Sequence, residues 1–206
     1  MKARLEIYYE NIPANALRLF ESKYAENPND ANLYGLALAF KKNNNFNEGL
    51  ASLDKLLEKY PKNLVLNTTK VEFLSYFNKF NDALDLANKF LEISPKNYPL
   101  SISKSQILLN MGQYFESEEI IRDQLLRKND SPELWFMLSE TQKTSQNIVG
   151  YHQSRAEYFL LLGQDEKALN QLEFALQLTQ NNFQVSDRIM TKIIEIKKSL
   201  QNSRGL

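Results

Sequence analysis

The stretch that decides the fold is NNNFNEGLASLDKLLEKYPKN, residues 43–63, in which three asparagines precede an amphipathic segment that ends at a proline. Its features return at intervals of 34 residues. The residues at this interval are the aromatic Phe46, Phe80 and Tyr114 and, two places before them, Asn44, Asn78 and Gly112. Asn and Gly enter the left-handed backbone conformation at the lowest cost, as a chain must where one helix ends and the next begins. The stretch therefore predicts pairs of helices that repeat along the chain.

The composition indicates a folded chain that lacks the charge for binding nucleic acid. Of its 206 residues 43% are hydrophobic, well above the level of a disordered chain. The 25 basic and 25 acidic residues cancel, whereas binding to a phosphate backbone depends on clustered Lys and Arg. Because there is no cysteine, a disulfide framework and a thiolate zinc site are excluded. We therefore expect no nucleic-acid partner.

No segment of the sequence suggests a membrane span or a secretory signal. A span needs roughly 18 uninterrupted apolar residues, and no run approaches that length. The sequence also has no cationic start followed by an apolar run. We expect no membrane-spanning helix in this chain.

Apolar residues in the repeated segments follow the helical period. Leu33, Leu36 and Phe40, for example, lie three and four residues apart and share one face of a helix. Neither helix of a pair can bury such a stripe alone, so each pair stacks on the next and one core runs through the array. An ordinary helical bundle would show similar stripes, but it gives no reason for the 34-residue interval. Stacked helix pairs are therefore the favoured fold.

An interval of this length, with two amphipathic segments in each repeat, is the signature of the tetratricopeptide repeat, and the chain resembles that family over nearly its whole length. In the first well-matched repeat the matching residues are Leu33, Leu36, Ala37, Phe40, Gly49, Leu53 and Pro61. In the next two they are Val71, Leu74, Phe80, Ala83, Ala87, Phe90 and Pro95, then Leu108, Gly112, Tyr114 and Ile121. Asn67, Lys70 and Asn129 depart from the pattern, the last replacing a closing proline. The resemblance implies an all-α superhelix, or α-solenoid.

The start of the chain breaks the pattern. Ala16, Phe20 and Pro28 match the second helix of a repeat, which predicts a helix over residues 13–25. Its first helix would have to begin before Met1, because the opening residues supply only its last turns. We therefore interpret the chain as a fragment of a longer protein.

The downstream part contains an irregularity and a cap. Gly163 follows Gly112 by 51 residues, an excess of 17, which indicates one inserted, unpaired helix. The last segment carries Val185, Ile189, Ile193, Ile196 and Leu200 on one stripe. This stripe predicts a capping helix, apolar toward the last repeat and polar toward water. We predict a single domain over 1–206 of about twelve helices, with repeats at about 1–29, 30–63, 64–97, 98–131 and 148–181, the extra helix at 132–147 and the cap at 182–201.

The sequence offers no catalytic constellation and no metal site. His152 is the one histidine, so no pair of histidine ligands exists within the chain, and its place at the opening of a repeat predicts a packed role. A glycine-rich phosphate loop, a Gly-x-Ser-x-Gly elbow and a cysteine nucleophile are all absent from the sequence. We therefore expect no enzymatic activity, no catalytic residue and no cofactor in this chain.

The resemblance implies that the first helices of successive repeats line a concave face that holds peptide segments. On the stripe beside the packing stripe we predict a partner-binding surface of Tyr34, Leu38, Lys41, Thr68, Glu72, Tyr76, Ile102, Gln106, Leu109, Phe136 and Glu140. Aromatic and aliphatic groups interleaved with polar ones suit an extended or helical segment of another protein. The alternative is that the twist of the superhelix buries parts of this stripe. Some co-chaperones of the family hold a C-terminal carboxylate with Lys and Asn where this chain has Tyr34 and Leu38, so that clamp is not expected.

A closer resemblance lies in residues 151–200, which are similar to the C-terminal end of periplasmic zinc metalloproteases of the beta-barrel assembly-enhancing protease type. The elements that carry it are Tyr151-His152, Ala156-Glu157-Tyr158, Gly163, Gln171-Leu172, Ala175-Leu176 and Ser186-Asp187-Arg188-Ile189. Residues 3–24, ARLEIYYENIPANALRLFESKY, resemble the junction at which those proteins pass from the protease domain to the repeats.

This resemblance implies a periplasmic parent protein that acts in outer-membrane protein quality control. Its upstream catalytic domain would hold zinc on a His-Glu-x-x-His helix, and its repeats would guide substrates and dock on outer-membrane assembly proteins. None of that catalytic apparatus lies in this sequence, so zinc is expected only in the parent. The expected partners of the chain are protein or peptide segments, its own protease domain and assembly proteins among them. The alternative is a free-standing, non-enzymatic repeat scaffold that tethers two proteins.

Overall fold

The computed structural model describes residues 2–179 and 181–204, and in this part the chain forms twelve α-helices and no strand. The helices are α1 (Lys2–Tyr9), α2 (Pro13–Glu26), α3 (Asp30–Lys42), α4 (Phe46–Lys59), α5 (Leu64–Tyr76), α6 (Phe80–Ile93), α7 (Tyr98–Asn110), α8 (Tyr114–Arg127), α9 (Pro132–Thr144), α10 (Ile148–Leu161), α11 (Asp165–Leu178) and α12 (Phe183–Arg204). None of these described helices is both long enough and apolar enough to cross a membrane. The predicted all-α fold class is confirmed.

Four tight turns fall where the spacing of asparagine and glycine predicted them. The backbone angle φ is +59° at Asn44, +58° at Asn78, +78° at Gly112 and +67° at Gly163. The next residue in each turn donates its N–H to a carbonyl five residues back, as Asn45 does to Phe40 at 2.9 Å. This bond satisfies a carbonyl at the helix end that otherwise has no partner. The four predicted turns are confirmed.

A fifth turn of the same kind lies at Gln146, where φ is +62° and the N–H of Asn147 donates to the carbonyl of Gln142 at 2.8 Å. Gln146 follows Gly112 by 34 residues, so the regular spacing continues through α9 and α10 and the 17-residue shift falls between Gln146 and Gly163. The sequence analysis missed this turn because glutamine rarely adopts positive φ. Since α10 packs against both α9 and α11, the predicted extra helix belongs to a set of three, α9, α10 and α11.

Side-chain caps close the longer connections, in a second series at the same interval. Asn29, Asn63, Asn97 and Ser131 precede α3, α5, α7 and α9. Their side-chain oxygens accept the N–H of Asn32 at 2.9 Å, Leu66 at 3.1 Å, Leu100 at 3.0 Å and Leu134 at 3.4 Å. Each cap satisfies one of the first N–H groups of a helix, which is typically worth about 1 kcal/mol. The asparagines therefore serve both as left-handed turn residues and as caps.

The chain divides into two compact units, Met1–Ile107 and Leu108–Leu206. The dividing point lies within α7. The sequence predicted one continuous domain, because the 34-residue series of turns and caps passes this point without a change. Each unit has a core of its own, and we call them the first and second compact units.

The core of the first compact unit depends on small residues where helices approach closely. A Cβ atom at Gly35 in α3 would lie 2.0 Å from the ring of Phe20 in α2, which is 2% exposed, so only glycine leaves room for this ring. Ala37 and Phe73, on α3 and α5, are buried in one cluster with a leucine of α4. Ala83 in α6 is fully buried, as expected for a small residue at which two helices meet.

The core of the second compact unit joins α10, α11 and α12. Its buried members are Ala156, Ala168, Leu172, Ala175, Ile189, Ile193 and Ile196, with Val185 and Leu200 packed against them. The predicted apolar stripe of the capping helix is therefore confirmed. Its outward face differs from the prediction, because Met190 and Ile194 are 45% and 58% exposed. These two residues follow Ile189 and Ile193 directly, so one turn of the helix carries apolar groups on both sides.

We expect Gln146→Gly to raise the free energy of unfolding by about 0.5–1 kcal/mol, because glycine adopts positive φ without a Cβ clash and gives back part of that gain as chain entropy. Urea denaturation followed by circular dichroism measures the difference. The matched control is Gln146→Ala, which keeps the Cβ atom and should gain nothing. Equal stabilisation by both variants would mean that the backbone at Gln146 is not left-handed in solution.

Candidate functional site

In the first compact unit, α1, α3 and α5 bring together side chains that lie far apart in the sequence. They surround an open depression of about 380 Å³. The residues that line it are Arg4, Ile7, Tyr8, Leu38, Lys41, Lys42, Glu72 and Tyr76. Leu38, Lys41, Glu72 and Tyr76 belong to the predicted binding surface. They meet here because they occupy corresponding stripe positions on successive first helices.

Arg4 connects the three helices through hydrogen bonds. Its Nε donates to the hydroxyl of Tyr34 at 2.7 Å. Its Nη2 donates to Thr69 Oγ1 at 2.8 Å and to Glu72 Oε2 at 3.0 Å. The hydroxyls of Tyr34 and Thr69 are 3.1 Å apart, and that of Thr69 donates to the carbonyl of Val65 at 2.7 Å. Since the Thr69 proton is used in this way, Tyr34 is the donor to Thr69, and one hydrogen-bonded chain crosses from α1 over α3 to α5.

The guanidinium of Arg4 is held in its charged form. Burial lowers the pKa of Arg4, but the hydrogen bond to Tyr34 and the charge of Glu72 outweigh that effect, so the pKa is raised. The side chains of Arg4 and Glu72 are 42% and 32% exposed. Solvent therefore screens the ion pair, and a pair of this kind contributes roughly 0–1 kcal/mol. Its main effect is geometric, because it fixes α1 against α5 and occupies the carboxylate of Glu72.

Lysine side chains hold the rest of α1. Lys42 Nζ at the end of α3 donates to the carbonyl of Ile7 at 2.6 Å and to the carbonyl of Glu10. Lys23 Nζ in α2 pairs with Glu6 at 2.6 Å. A cation satisfies the last carbonyls of a helix and interacts favourably with its dipole. The wall that α1 contributes to the depression is therefore attached by polar side chains on either side.

Lys41 is the cation without a counter-charge in this depression. Within residues 2–179 and 181–204 no carboxylate lies within ion-pairing distance of its ammonium group. Burial lowers the pKa of Lys41; the charge of Glu72 opposes this shift and that of Arg4 adds to it. The ammonium nitrogen lies 5.0 Å from the ring centroid of Tyr76, whose hydroxyl donates to Asn44 Oδ1 at 3.0 Å. The depression thus offers a partly desolvated cation beside an ordered aromatic ring.

A second depression, of about 230 Å³, lies on the other side of the Arg4–Glu72 ion pair. Its lining residues are Arg4, Leu64, Val65, Thr68, Glu72, Asn97 and Pro99. Thr68 was predicted on the binding surface. Because Arg4 and Glu72 line both depressions, their ion pair forms a ridge between the two.

Two of the predicted surface residues are used more for packing than the sequence indicated. The ring of Tyr34 packs against core clusters that contain Leu33 and Ala37, besides its bond to Arg4. Leu38 packs against the cluster that α1, α2 and α3 share. Tyr76, in contrast, is 50% exposed. Stripe position alone did not distinguish these depths, because each depends on the neighbouring helix.

The other predicted residues lie outside these depressions. Ile102 is half-buried and Gln106 exposed on α7, and neither lines the depressions. Leu109, Phe136 and Glu140 belong to the second compact unit. Phe136 there is 40% exposed, whereas Leu109 and Glu140 are half-buried.

Arg4 and Tyr8 line the depression but were missed in the sequence. They lie four residues apart and so face the same side of α1. The opening segment was interpreted only as the end of a helix, and it has no preceding repeat with which to compare its stripe. The one available signal was this four-residue spacing of a basic and an aromatic residue.

His152 has the packed position that the sequence predicted. Its Nδ1 lies 2.8 Å from Gln171 Oε1, and its ring centroid lies 5.5 Å from that of Phe174. Among the described residues there is no group of three or more His, Asp or Glu side chains placed to hold a metal ion.

Comparison with known proteins identifies the fold. No protein-family model matches the sequence, and no curated protein matches it. PilW, a widely conserved type IV pilus biogenesis factor, is similar with a TM-score of 0.64 at 16% identity over 92% of this chain and 94% of its own. MamA (41-end) from Desulfovibrio magneticus RS-1 gives 0.57 at 14% identity over 83% of this chain and 97% of its own. TTC0263, a thermophilic tetratricopeptide-repeat protein in Thermus thermophilus, gives 0.53 at 20% identity over 92% and 95%.

These similarities, together with the helix pairs and their turns, show that the chain has the fold of tetratricopeptide-repeat proteins. At 20% identity or less they concern the fold alone. The closer resemblance to periplasmic zinc metalloproteases is not addressed by them and stays a prediction.

We expect Lys41→Met to raise the melting temperature near neutral pH, because it removes a charge that burial disfavours and keeps an unbranched stem. The folded pKa of Lys41 lies below its ordinary value of 10.5, so the unfolded chain holds this proton to higher pH. Wild-type stability therefore rises as pH increases from the lowered pKa to 10.5, and the advantage of the variant shrinks over that window.

Thermal melts over a pH series check this expectation. The matched control is Lys89→Met, at an exposed position of α6, for which no such trend is expected. A Lys41→Met variant that is less stable near neutral pH, or whose pH trend equals that of the control, would contradict the assigned burial of Lys41.

Proposed function

We propose that the first compact unit binds a segment of another protein in the depression between α1, α3 and α5. The observation that carries this proposal is that exposed aromatic rings line the same depression as an unpaired, buried cation. Tyr8 is 76% exposed and Tyr76 50% exposed, and Lys41 lies against the ring of Tyr76. Aromatic side chains are enriched where binding energy concentrates in protein interfaces.

The two depressions suit a segment rather than a small compound. The Arg4–Glu72 pair forms a ridge between them, so a segment laid across it would place a side chain on either side. On one side the contacts are Tyr8, Leu38 and Tyr76, which favour an apolar side chain. On the other side Thr68 and Asn97 supply polar groups, as the lining of a peptide groove does for orientation.

A finer proposal concerns the parent protein. We propose that the chain is the substrate- and partner-handling part of a periplasmic zinc metalloprotease that acts in outer-membrane protein quality control. The support is the resemblance of residues 151–200 and 3–24 to proteins of the beta-barrel assembly-enhancing protease type. Zinc and the proteolytic chemistry would then belong to a catalytic domain elsewhere in that protein.

A free-standing scaffold is the second candidate. It is favoured by the extent of the similarity to PilW and TTC0263, since this chain covers 94% and 95% of those structures. In this case the chain would tether two proteins without an attached catalytic domain.

The binding proposal is tested with peptides selected by the purified chain from a displayed random library. The affinity of a selected peptide is then measured by titration calorimetry. We expect Tyr8→Ala combined with Tyr76→Ala to weaken binding by about 2 kcal/mol or more, roughly thirtyfold, as is typical when aromatic hot spots are truncated. Tyr34 is left unchanged because it packs into the core.

The matched control for this variant is Tyr9→Ala. Tyr9 adjoins Tyr8 and is 74% exposed, but it does not line the depression, so the affinity should be unchanged. Wild-type affinity in the double variant, at an unchanged melting temperature, would exclude the depression as the binding site. An equal loss in the Tyr9→Ala variant would do the same.

The parentage is tested separately, on the gene that encodes the chain. We expect a His-Glu-x-x-His motif upstream of these residues, with stoichiometric zinc and protease activity in the full-length protein and neither in the isolated chain. An upstream region without that motif would reject the protease parent in favour of the scaffold. Zinc or proteolysis in the isolated chain would overturn the expectation that it is not an enzyme.

A further inference from the structure

In the second compact unit one arginine is surrounded by three aromatic rings. The guanidinium carbon of Arg155 lies 5.2 Å from the ring centroid of Phe136, 5.2 Å from that of Tyr158 and 5.1 Å from that of Phe159. The rings also contact each other, with centroids 5.5 Å apart for Phe136 and Tyr158 and 5.4 Å for Tyr158 and Phe159. Because the four residues come from α9 and α10, which pack together, this aromatic–arginine cluster is built on rigid elements.

The described part of the chain supplies no counter-charge for this arginine. Arg155 forms no ion pair there, and its recorded contacts are the three rings. Glu157, on the same helix, is already paired with Lys192, and Glu140, one turn after Phe136, makes no ion pair with Arg155. The aromatic–arginine cluster is therefore a positively charged patch whose partner charge is missing.

A second cation adds to this patch. The ammonium nitrogen of Lys167 lies 5.6 Å from the ring centroid of Phe159, the same ring that Arg155 contacts. Lys167 donates to the neutral side chain of Gln164 at 2.9 Å and, among the residues described, has no carboxylate partner. Two cations thus share one aromatic ring, which raises the local positive potential.

We propose that the aromatic–arginine cluster binds an acidic side chain of a protein segment, with a neighbouring apolar side chain of the segment on Phe136. The planar guanidinium presents in-plane N–H donors that match a carboxylate in a bidentate arrangement. The three rings restrict the side chain of Arg155, so less conformational entropy is lost when the carboxylate binds. Phe136, at 40% exposure, supplies apolar area at the same place.

A nucleic acid or another polyphosphate fits this patch less well. Binding to a phosphate backbone requires several basic residues, because affinity comes from the neutralisation of successive phosphates. This patch offers two cations, and the whole chain balances 25 basic with 25 acidic residues. Three rings around a single guanidinium suit one carboxylate beside an apolar group, which is the pattern of a short acidic and hydrophobic protein segment.

The experiment uses the full chain, labelled with ¹⁵N, and follows the Nε–Hε resonance of Arg155 by NMR. The probe is the peptide Gly-Leu-Asp-Phe-Glu-Gly, and the neutral comparison is Gly-Leu-Asn-Phe-Gln-Gly. We expect the acidic peptide to shift the resonance saturably, with a Kd about tenfold lower than that of the neutral peptide, the usual scale for a hydrogen bond to a charged group. Arg155→Gln should raise the Kd of the acidic peptide about tenfold, and Arg155→Lys should restore part of the loss.

The charge-matched control is Arg188→Gln, which removes one positive charge from an exposed position of α12 and should leave the Kd unchanged. An Arg155 resonance that the acidic peptide does not move at millimolar concentration would overturn the proposal, because the arginine would then serve only to hold the rings. Equal binding of the two peptides, or a shift caused by a twelve-nucleotide DNA strand and not by the peptide, would overturn it as well. The wild-type resonance decides the question even if Arg155→Gln proves unstable.

Discussion

The rest of the structure depends on a chain reversal between paired helices that leaves room for one residue in the left-handed conformation. The helices have mostly 13 or 14 residues, a length that is marginal for an isolated helix in water. They are stable because each apolar stripe faces a neighbour, and the neighbour is presented at the right distance by the turn. Positive φ at a 34-residue interval fixes where each helix ends and which way the next one starts. Gln146 accepts this conformation without the advantage of glycine or asparagine, which shows how strongly the surrounding helices impose it.

This regular stacking also creates the candidate site. Because α3 and α5 have equivalent places in successive repeats, stripe residues such as Lys41 and Tyr76 come to the same opening. The fold supplies the opening, and α1 turns it into a depression with a wall. Arg4 is central to that wall, since its hydrogen bonds reach Tyr34 on α3 and Glu72 on α5. Charge is thus distributed unequally, with Glu72 neutralised and Lys41 left without a partner.

The sequence predicted the architecture well because the repeat is a local pattern, confirmed at Asn44 and Gly163 alike. It failed at Gln146, where tertiary packing overrides the conformational preference of the residue. For the site, stripe position was enough to select Lys41 and Tyr76. It was not enough to separate an exposed ring from Tyr34, because depth is set by contacts with other helices. The contribution of α1 was not predictable from periodicity, since a segment without an equivalent repeat before it has no register to inherit.

The way in which α1 is attached has a consequence for the energetics of local opening. This helix has eight residues, of which only Ile7 is buried, and polar contacts from Arg4 and Lys42 hold it in place. Its detachment therefore costs less than unfolding the first compact unit, and its amide protons should exchange with solvent before those of α3. Detachment would also uncover the apolar contacts beneath it, which include Leu36 and Ala39. The area open to a ligand is consequently a population average, and added salt, which weakens partly exposed ionic contacts, increases it.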